Sequence, residues 1–154
     1  MQNKTYYEVA CEDLRYLVAV AGLDFYNQNT VQCQQVVEKL LKSVAELSCA
    51  EISGILNSHN LRAIYMEVKK AGVDIELDKH KLSTLKDYYF DARYPGDNYV
   101  DVSRDEFLES FDTVKDVFKA VNDFRTSKNL YTADIKVEIQ TSNSALDYLN
   151  KVNV

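Results

Sequence analysis

A single proline in 154 residues, Pro95, and only four glycines leave this chain few places to stop a helix. Those two residues are the strongest helix breakers, one because it lacks an N–H and clashes with the preceding turn, the other through backbone entropy. The breakers are also unevenly placed. Pro95 and Gly96 fall together in YYFDARYPGDNYV, residues 88–100, flanked by Arg93, Tyr94, Asp97, Asn98 and Tyr99. A polar and aromatic irregular loop is therefore set into an otherwise helix-rich sequence, and loops held by a rigid scaffold are where binding residues concentrate.

The apolar residues recur at helical spacing on both sides of that loop. Tyr6, Val9, Ala10, Leu14, Leu17, Val20 and Ala21 form one stripe ending near Gly22, and Cys33, Val36, Val37, Leu40, Leu41, Val44 and Leu47 form a second from about Asn29 to Leu47. Asn57 or Ser58 can cap a third helix bearing Leu61, Ile64, Tyr65 and Val68, with Gly72 suited to its end. Leu77, Leu82, Leu85, Tyr88 and Tyr89 mark a fourth, starting near Asp78. Ser103 and Glu106 have the spacing of a capping box, and Phe107, Phe111, Val114, Phe118 and Val121 continue a fifth through about Phe124. The expected fold is all-α, an up-and-down bundle of four to five helices over residues 1–127, with a C-terminal extension, residues 128–154, packed on the same domain. Within that extension ADIKVEI alternates like a strand with no partner strand, and SALDYLNKV has the pattern of a short helix.

Composition narrows the function. The net charge of −6 argues against non-specific binding of duplex DNA, which depends on counterion release by Lys and Arg. Cys11, Cys33 and Cys49 are odd in number and contain no C-x-x-C pair, so they read as small core residues, with no metal site or cofactor expected. The longest apolar run, YLVAVAGL at 16–23, is far short of a bilayer span, and the polar amino terminus lacks a secretory pattern, so a cytoplasmic protein without membrane contact is expected.

Three motifs, in order, resemble the HEPN domain family. QCQQVVEKLLKSV, residues 32–44, is similar to its second-helix signature, with Gln35, Glu38, Lys39 and Lys42 in the matching places. SHNL, residues 58–61, resembles the Thr-His-Asp-Leu element that opens the third helix, and ARYPG, residues 92–96, resembles the Arg-Tyr-Pro loop of one nucleotidyltransferase-associated branch. The resemblance covers about residues 6–125. It implies a helical bundle that forms a homodimer, a nucleotide or single-stranded RNA as ligand, and a nucleotidyltransferase partner, often in a toxin–antitoxin pair.

Catalytic members of that family are metal-independent ribonucleases with an arginine followed after four to six residues by a histidine. From Arg93 those positions hold Asn98, Tyr99 and Val100, so the motif lacks its histidine. The expectation is thus a catalytically degenerate protein that binds nucleotide or RNA through Arg93, Tyr94, Asn98, Tyr99, Lys39 and Lys42. Arg93 can pair with phosphate, the tyrosines can stack on a base and Asn98 can bond a polar edge. A ribonuclease using His59 and a helical interaction module for the transferase are the alternatives. Tyr99 lies one position short of a tyrosine that the transferase modifies in some pairs.

Bland readings compete with each assignment. Arg93 could bond the carbonyls that end the fourth helix, and His59 could fix the first turn of the third. Lys39 and Lys42 could lie on a solvated face with Glu38 and Glu46. Asp13, on the apolar side of the first helix, needs a partner, either Arg93 or a lysine of the second.

Overall fold

The computed structural model describes residues 3–140, and the expected SALDYLNKV helix lies outside them. Six helices follow one another: α1 (Tyr6–Val20), α2 (Tyr26–Ser48), α3 (Ser53–Leu56), α4 (Leu61–Lys70), α5 (Lys79–Asp91) and α6 (Arg104–Ser127). No strand occurs among the described residues.

Contacts along the helices fix their directions. Asn29, at the start of α2, donates to the Val20 carbonyl at the end of α1 (3.1 Å), and Lys42 lies 5.9 Å from the ring centre of Tyr6, so α1 and α2 are antiparallel. Val102, just before α6, donates to Asn27 near the start of α2, and the Tyr7 hydroxyl donates to Asn122 near the end of α6. Hence α6 runs with α2 and against α1. The segment 49–60 doubles back along α2, bringing the Leu56 carbonyl to Lys42, before α4 turns again. The up-and-down alternation therefore holds, with that connection as one of the strokes.

α2 is the axis. Val36, Val37, Leu40, Leu41 and Val44 are wholly buried against Leu14 and Leu17 of α1, Leu61 and Ile64 of α4, Leu85 of α5, and Phe107 and Phe111 of α6. Removing such side chains to Ala costs about 2–5 kcal/mol each, so the position of α2 is well determined.

The helix starts follow local chemistry. Thr5 with Glu8 and Ser103 with Glu106 form reciprocal capping boxes, and the Asp78 carboxylate accepts from the amides of His80 and Lys81. Gly72, at φ +86, closes α4 in the left-handed region that suits glycine. Two expected boundaries move. α2 begins a turn before Asn29, because Asn27 and Asn29 spend their side chains on carbonyls of neighbouring elements rather than as caps. α4 is capped by Asn60, which accepts from Ala63, rather than by Asn57 or Ser58, and the short α3 precedes it. His59 accordingly sits in the loop before the cap and not in the first helical turn.

Beyond α6 the chain returns beside α1. The Ala133 amide donates to the Tyr7 hydroxyl (2.8 Å), and the Gln140 carbonyl passes so close to Gly22 that an added Cβ would lie 2.7 Å from it. Burial alternates along the way, with Ala133, Ile135, Val137 and Ile139 turned inward and Asp134, Lys136 and Glu138 outward.

Candidate functional site

The buried end of the site is a polar stripe on α2. Gln34, Glu38 and Lys42 are spaced four apart, so they share one face, and all are buried. Lys42 Nζ lies 3.0 Å from Glu38 Oε2 and donates to the Leu56 carbonyl at 2.8 Å. Gln34 donates to Glu38 Oε1 at 3.1 Å. The remaining contact of that carboxylate is His59 Nδ1, at 2.9 Å. A buried carboxylate must be paired or hydrogen-bonded, and Glu38 is held by a lysine, an amide and an imidazole. The expected solvated face is thereby corrected: Glu46 is exposed, while Glu38 and Lys42 are interior.

His59 carries this network to the surface. With Nδ1 held by Glu38, its other ring nitrogen has no partner among the described residues, and 44% of the side chain is exposed. In the neutral imidazole the Nδ1–H donates to Glu38 and Nε2 is left as an acceptor. The ring stacks on Tyr89 of α5, centroids 4.2 Å apart and planes within 13°. Tyr89 meets Phe90 edge-on at 4.7 Å, and Phe90 lies 6.2 Å from Tyr94.

Arg93 joins the same aromatic series. Its guanidinium carbon is 4.9 Å from the Tyr89 ring centre and 5.3 Å from that of Tyr94. Because His59 and Arg93 both pack on Tyr89, the imidazole and guanidinium are at most about 9 Å apart, the sum of the two distances. They are separated by 34 positions in the chain, and α5 brings them together. Arg93 does not cap α5. The Phe90, Asp91 and Ala92 carbonyls are taken by the amides of Tyr94 and Val100 and by the Asn27 side chain, and the guanidinium makes no hydrogen bond or ion pair among the described residues.

Asn27 holds the proline loop in place. Its amide nitrogen donates to the carbonyls of Ala92 (3.2 Å) and Val100 (2.8 Å) and to the Tyr99 hydroxyl (3.2 Å), while its oxygen accepts from the Val102 amide at 2.8 Å. Nothing in its local sequence distinguishes it, since its partners lie 65 to 75 positions away. On the loop itself Tyr94, Asn98 and Tyr99 are exposed.

Between these parts lies a groove of about 390 Å³, lined by Ser58, His59, Asn60, Lys86, Tyr89 and Phe90, with Asp87 and Asp91 at its wall. Lys86 lies 3.5 Å from Asp87. Neither Lys39 nor Lys42 lines this groove. Lys39 is paired with Asp13, which thus finds a lysine of α2 rather than Arg93, and Lys42 is enclosed beneath His59. A larger cleft of about 810 Å³ lies elsewhere, between the α4–α5 connection and α6. Asp74, Glu76, Asp78, Asp116 and Asp123 outnumber Lys119 and Lys128 around it, so it repels an anionic ligand.

Burial raises several groups outside the groove. The Tyr7 and Tyr88 hydroxyls are each pushed up to about 12, chiefly by burial, with the Glu106 carboxylate adding to the effect at Tyr88. Burial also raises Cys11, Cys33 and Cys49, the opposite of an activated thiolate. Among the described residues no group of three or more His, Cys, Asp or Glu is arranged to hold a metal ion. Nor is any described helix long and apolar enough to cross a membrane.

The fold and this site define a helical bundle with a polar, aromatic groove beside its one proline loop. The family model described as HEPN domain matches residues 4–124, and the chain belongs to that family. Membership gives it a nucleotide- or RNA-related role. Comparisons with curated proteins and with solved structures returned no match.

Proposed function

We propose that the groove lined by His59, Tyr89 and Phe90, with Arg93 packed on Tyr89 beside it, binds a nucleotide or a short single-stranded RNA segment. The observation that carries this reading is the convergence of an unpaired guanidinium, an imidazole with a free nitrogen and exposed aromatic faces on one ring, Tyr89. Arginine supplies a planar fork for phosphate, aromatic faces stack on bases, and the free His59 nitrogen meets a polar edge or a ribose hydroxyl. Phe90 and Tyr94 extend the stacking surface, with Asn98 and Tyr99 beside it on the loop. Asp87 and Asp91, together with the net negative charge, favour a ligand of one or a few nucleotides over a long polyanion. Lys39 and Lys42 have no part in this reading.

The test is a thermal-shift and calorimetric titration with nucleotides and short RNAs, comparing the natural protein with Arg93→Ala. At a ligand concentration one hundred times Kd the folded state gains about 2.7 kcal/mol, and that gain is lost in the variant. Unchanged affinity in a folded Arg93→Ala protein refutes the assignment.

The Glu38–His59 contact favours a second reading, metal-independent RNA cleavage. Here the ribose 2′-oxygen bonds to phosphorus as the bond to the 5′-oxygen breaks. The hydroxyl proton passes to His59 Nε2, the leaving oxygen takes a proton from water, and Arg93 neutralises phosphate charge. Cleavage that persists in chelator and is lost in His59→Ala supports it, whereas intact RNA under binding conditions leaves binding alone. A nucleotidyltransferase partner and a toxin–antitoxin setting are proposals carried by the family, a cytoplasmic location is one carried by the short apolar runs and polar amino terminus of the sequence, and co-purification tests the partner.

A further inference from the structure

Four carboxylate residues among those described are withdrawn from full solvent exposure: Asp13, Glu38, Asp91 and Glu106. Three of them have partners. Asp13 pairs with Lys39, Glu38 with Lys42 and His59, and Glu106 accepts from the Tyr88 hydroxyl (3.0 Å) and the Ser103 amide (3.2 Å). The Asp91 carboxylate has none among the described residues, although it lines the groove and Arg93, itself unpaired, is two positions away. Its place in the fold makes this unfavourable. Asp91 is the last residue of α5, at the negative end of the helix dipole, where a carboxylate is destabilising. Its main chain is held, since its carbonyl accepts from the Val100 amide at 2.8 Å. A fixed, partly covered acceptor with nothing to accept from is complementary to a donor on a ligand.

We propose that Asp91 reads the base of the bound nucleotide and that the base is guanine, an inference that rests on the groove reading above. A carboxylate accepts two parallel hydrogen bonds where two donors stand side by side. On the Watson–Crick edges of the four RNA bases only guanine offers this, with its N1–H beside the N2 amine. Adenine and cytosine set a ring-nitrogen lone pair next to their amine, and uracil places its one N–H between two carbonyls. Each of these therefore turns at least one acceptor toward the carboxylate. The O6 of guanine, next to N1–H, needs a donor in turn. Lys86 and Asn60 line the same groove, and the Asn60 side-chain oxygen is spent on the Ala63 amide (3.1 Å), which leaves its NH2 group to donate. Phe90, next to Asp91 in the chain and exposed, supplies an aromatic face for stacking. Arg93 takes the phosphate, so the two unpaired and opposite charges are met by different parts of one ligand.

The test is calorimetric titration of the full chain with the 5′-monophosphates of guanosine, inosine, adenosine, cytidine and uridine, and with that of 2′-deoxyguanosine. Guanosine monophosphate is expected to bind at least about tenfold more tightly than the other ribonucleotides, inosine monophosphate included, which differs from it only by the missing N2 amine. Asp91→Asn is expected to abolish that preference while its melting temperature stays the same or rises, because a negative charge leaves the negative end of α5. A carboxylate with a purely structural role would give the opposite pair of results. Equal affinity for all the bases, lost in Arg93→Ala, overturns the assignment of guanine and leaves the groove reading standing. So does a preference for ribose over deoxyribose that disappears in Asp91→Asn without any preference among bases, since the carboxylate then meets the sugar. Binding of no monophosphate overturns the assignment as well, and the groove reading then rests on short RNA alone.

Discussion

Truncating Glu38 tests whether the polar stripe on α2 is the buried foundation of the site. In Glu38→Ala the Lys42 ammonium, 3% exposed, keeps only the Leu56 carbonyl, and His59 and Gln34 each lose an acceptor. Removing one member of a buried ion pair costs about 3–5 kcal/mol, because the other is left charged without compensation. For a chain of this size each kcal/mol moves the melting temperature by about 2–4 °C, so the expected fall is roughly 6–20 °C. Replacing both members, Glu38→Leu with Lys42→Met, removes the two charges together and is expected to lie within about 1 kcal/mol of the natural protein, or above it. Urea denaturation of the natural protein, both single variants and the double variant gives the coupling, expected to exceed about 2 kcal/mol. A loss below about 1 kcal/mol in Glu38→Ala, or additive single variants, refutes the argument that these charges are enclosed and mutually dependent.

Other consequences are as open to measurement. Asn27→Ala removes four hydrogen bonds from the proline loop and is expected to cost about 2–3 kcal/mol and to speed amide exchange at Val100 and Val102, with unchanged protection there counting against a clamp. The two raised tyrosines give an alkaline limb. Each binds its proton more tightly folded than unfolded, so stability is whole below pH 10 and falls between pH 10 and 12, by roughly 2–3 kcal/mol for each hydroxyl. Absorbance at 295 nm should show two late-titrating tyrosines, and Tyr88→Phe should remove one of them along with its share of the loss.

Most of the bundle is legible in the sequence because helix starts and apolar stripes are local. The Ser103–Glu106 capping box, the Asp78 start and the Gly72 stop depend on residues within a turn of one another, and the structure keeps all three. The errors arise where a side chain serves a distant element. Asn29 reads as a helix start but bonds the end of α1, and Asn57 and Ser58 lose the cap to Asn60 because a helical turn, α3, intervenes. The same limit governs the site. The loop around Arg93 is visible as the only proline, whereas its meeting with His59 depends on Tyr89, one half-buried aromatic among eleven tyrosines. Glu38, Lys39 and Lys42 share a motif, yet their fates diverge with the angle at which each leaves α2: Lys39 meets Asp13 while Glu38 and Lys42 turn inward. No spacing rule distinguishes a solvated lysine from one enclosed by a loop that doubles back from residue 49.

The chain contains two histidines, His59 in the groove and His80 at the start of α5, and this makes the central claim directly observable. The decisive measurement is the imidazole proton and nitrogen NMR spectrum during titration with a mononucleotide and with a short single-stranded RNA. The His59 signals are expected to shift saturably with one of these ligands while the His80 signals stay in place, and the His59 response is expected to vanish in Arg93→Ala. Saturable binding that leaves His59 unmoved, or moves His80 instead, contradicts the assignment of the groove.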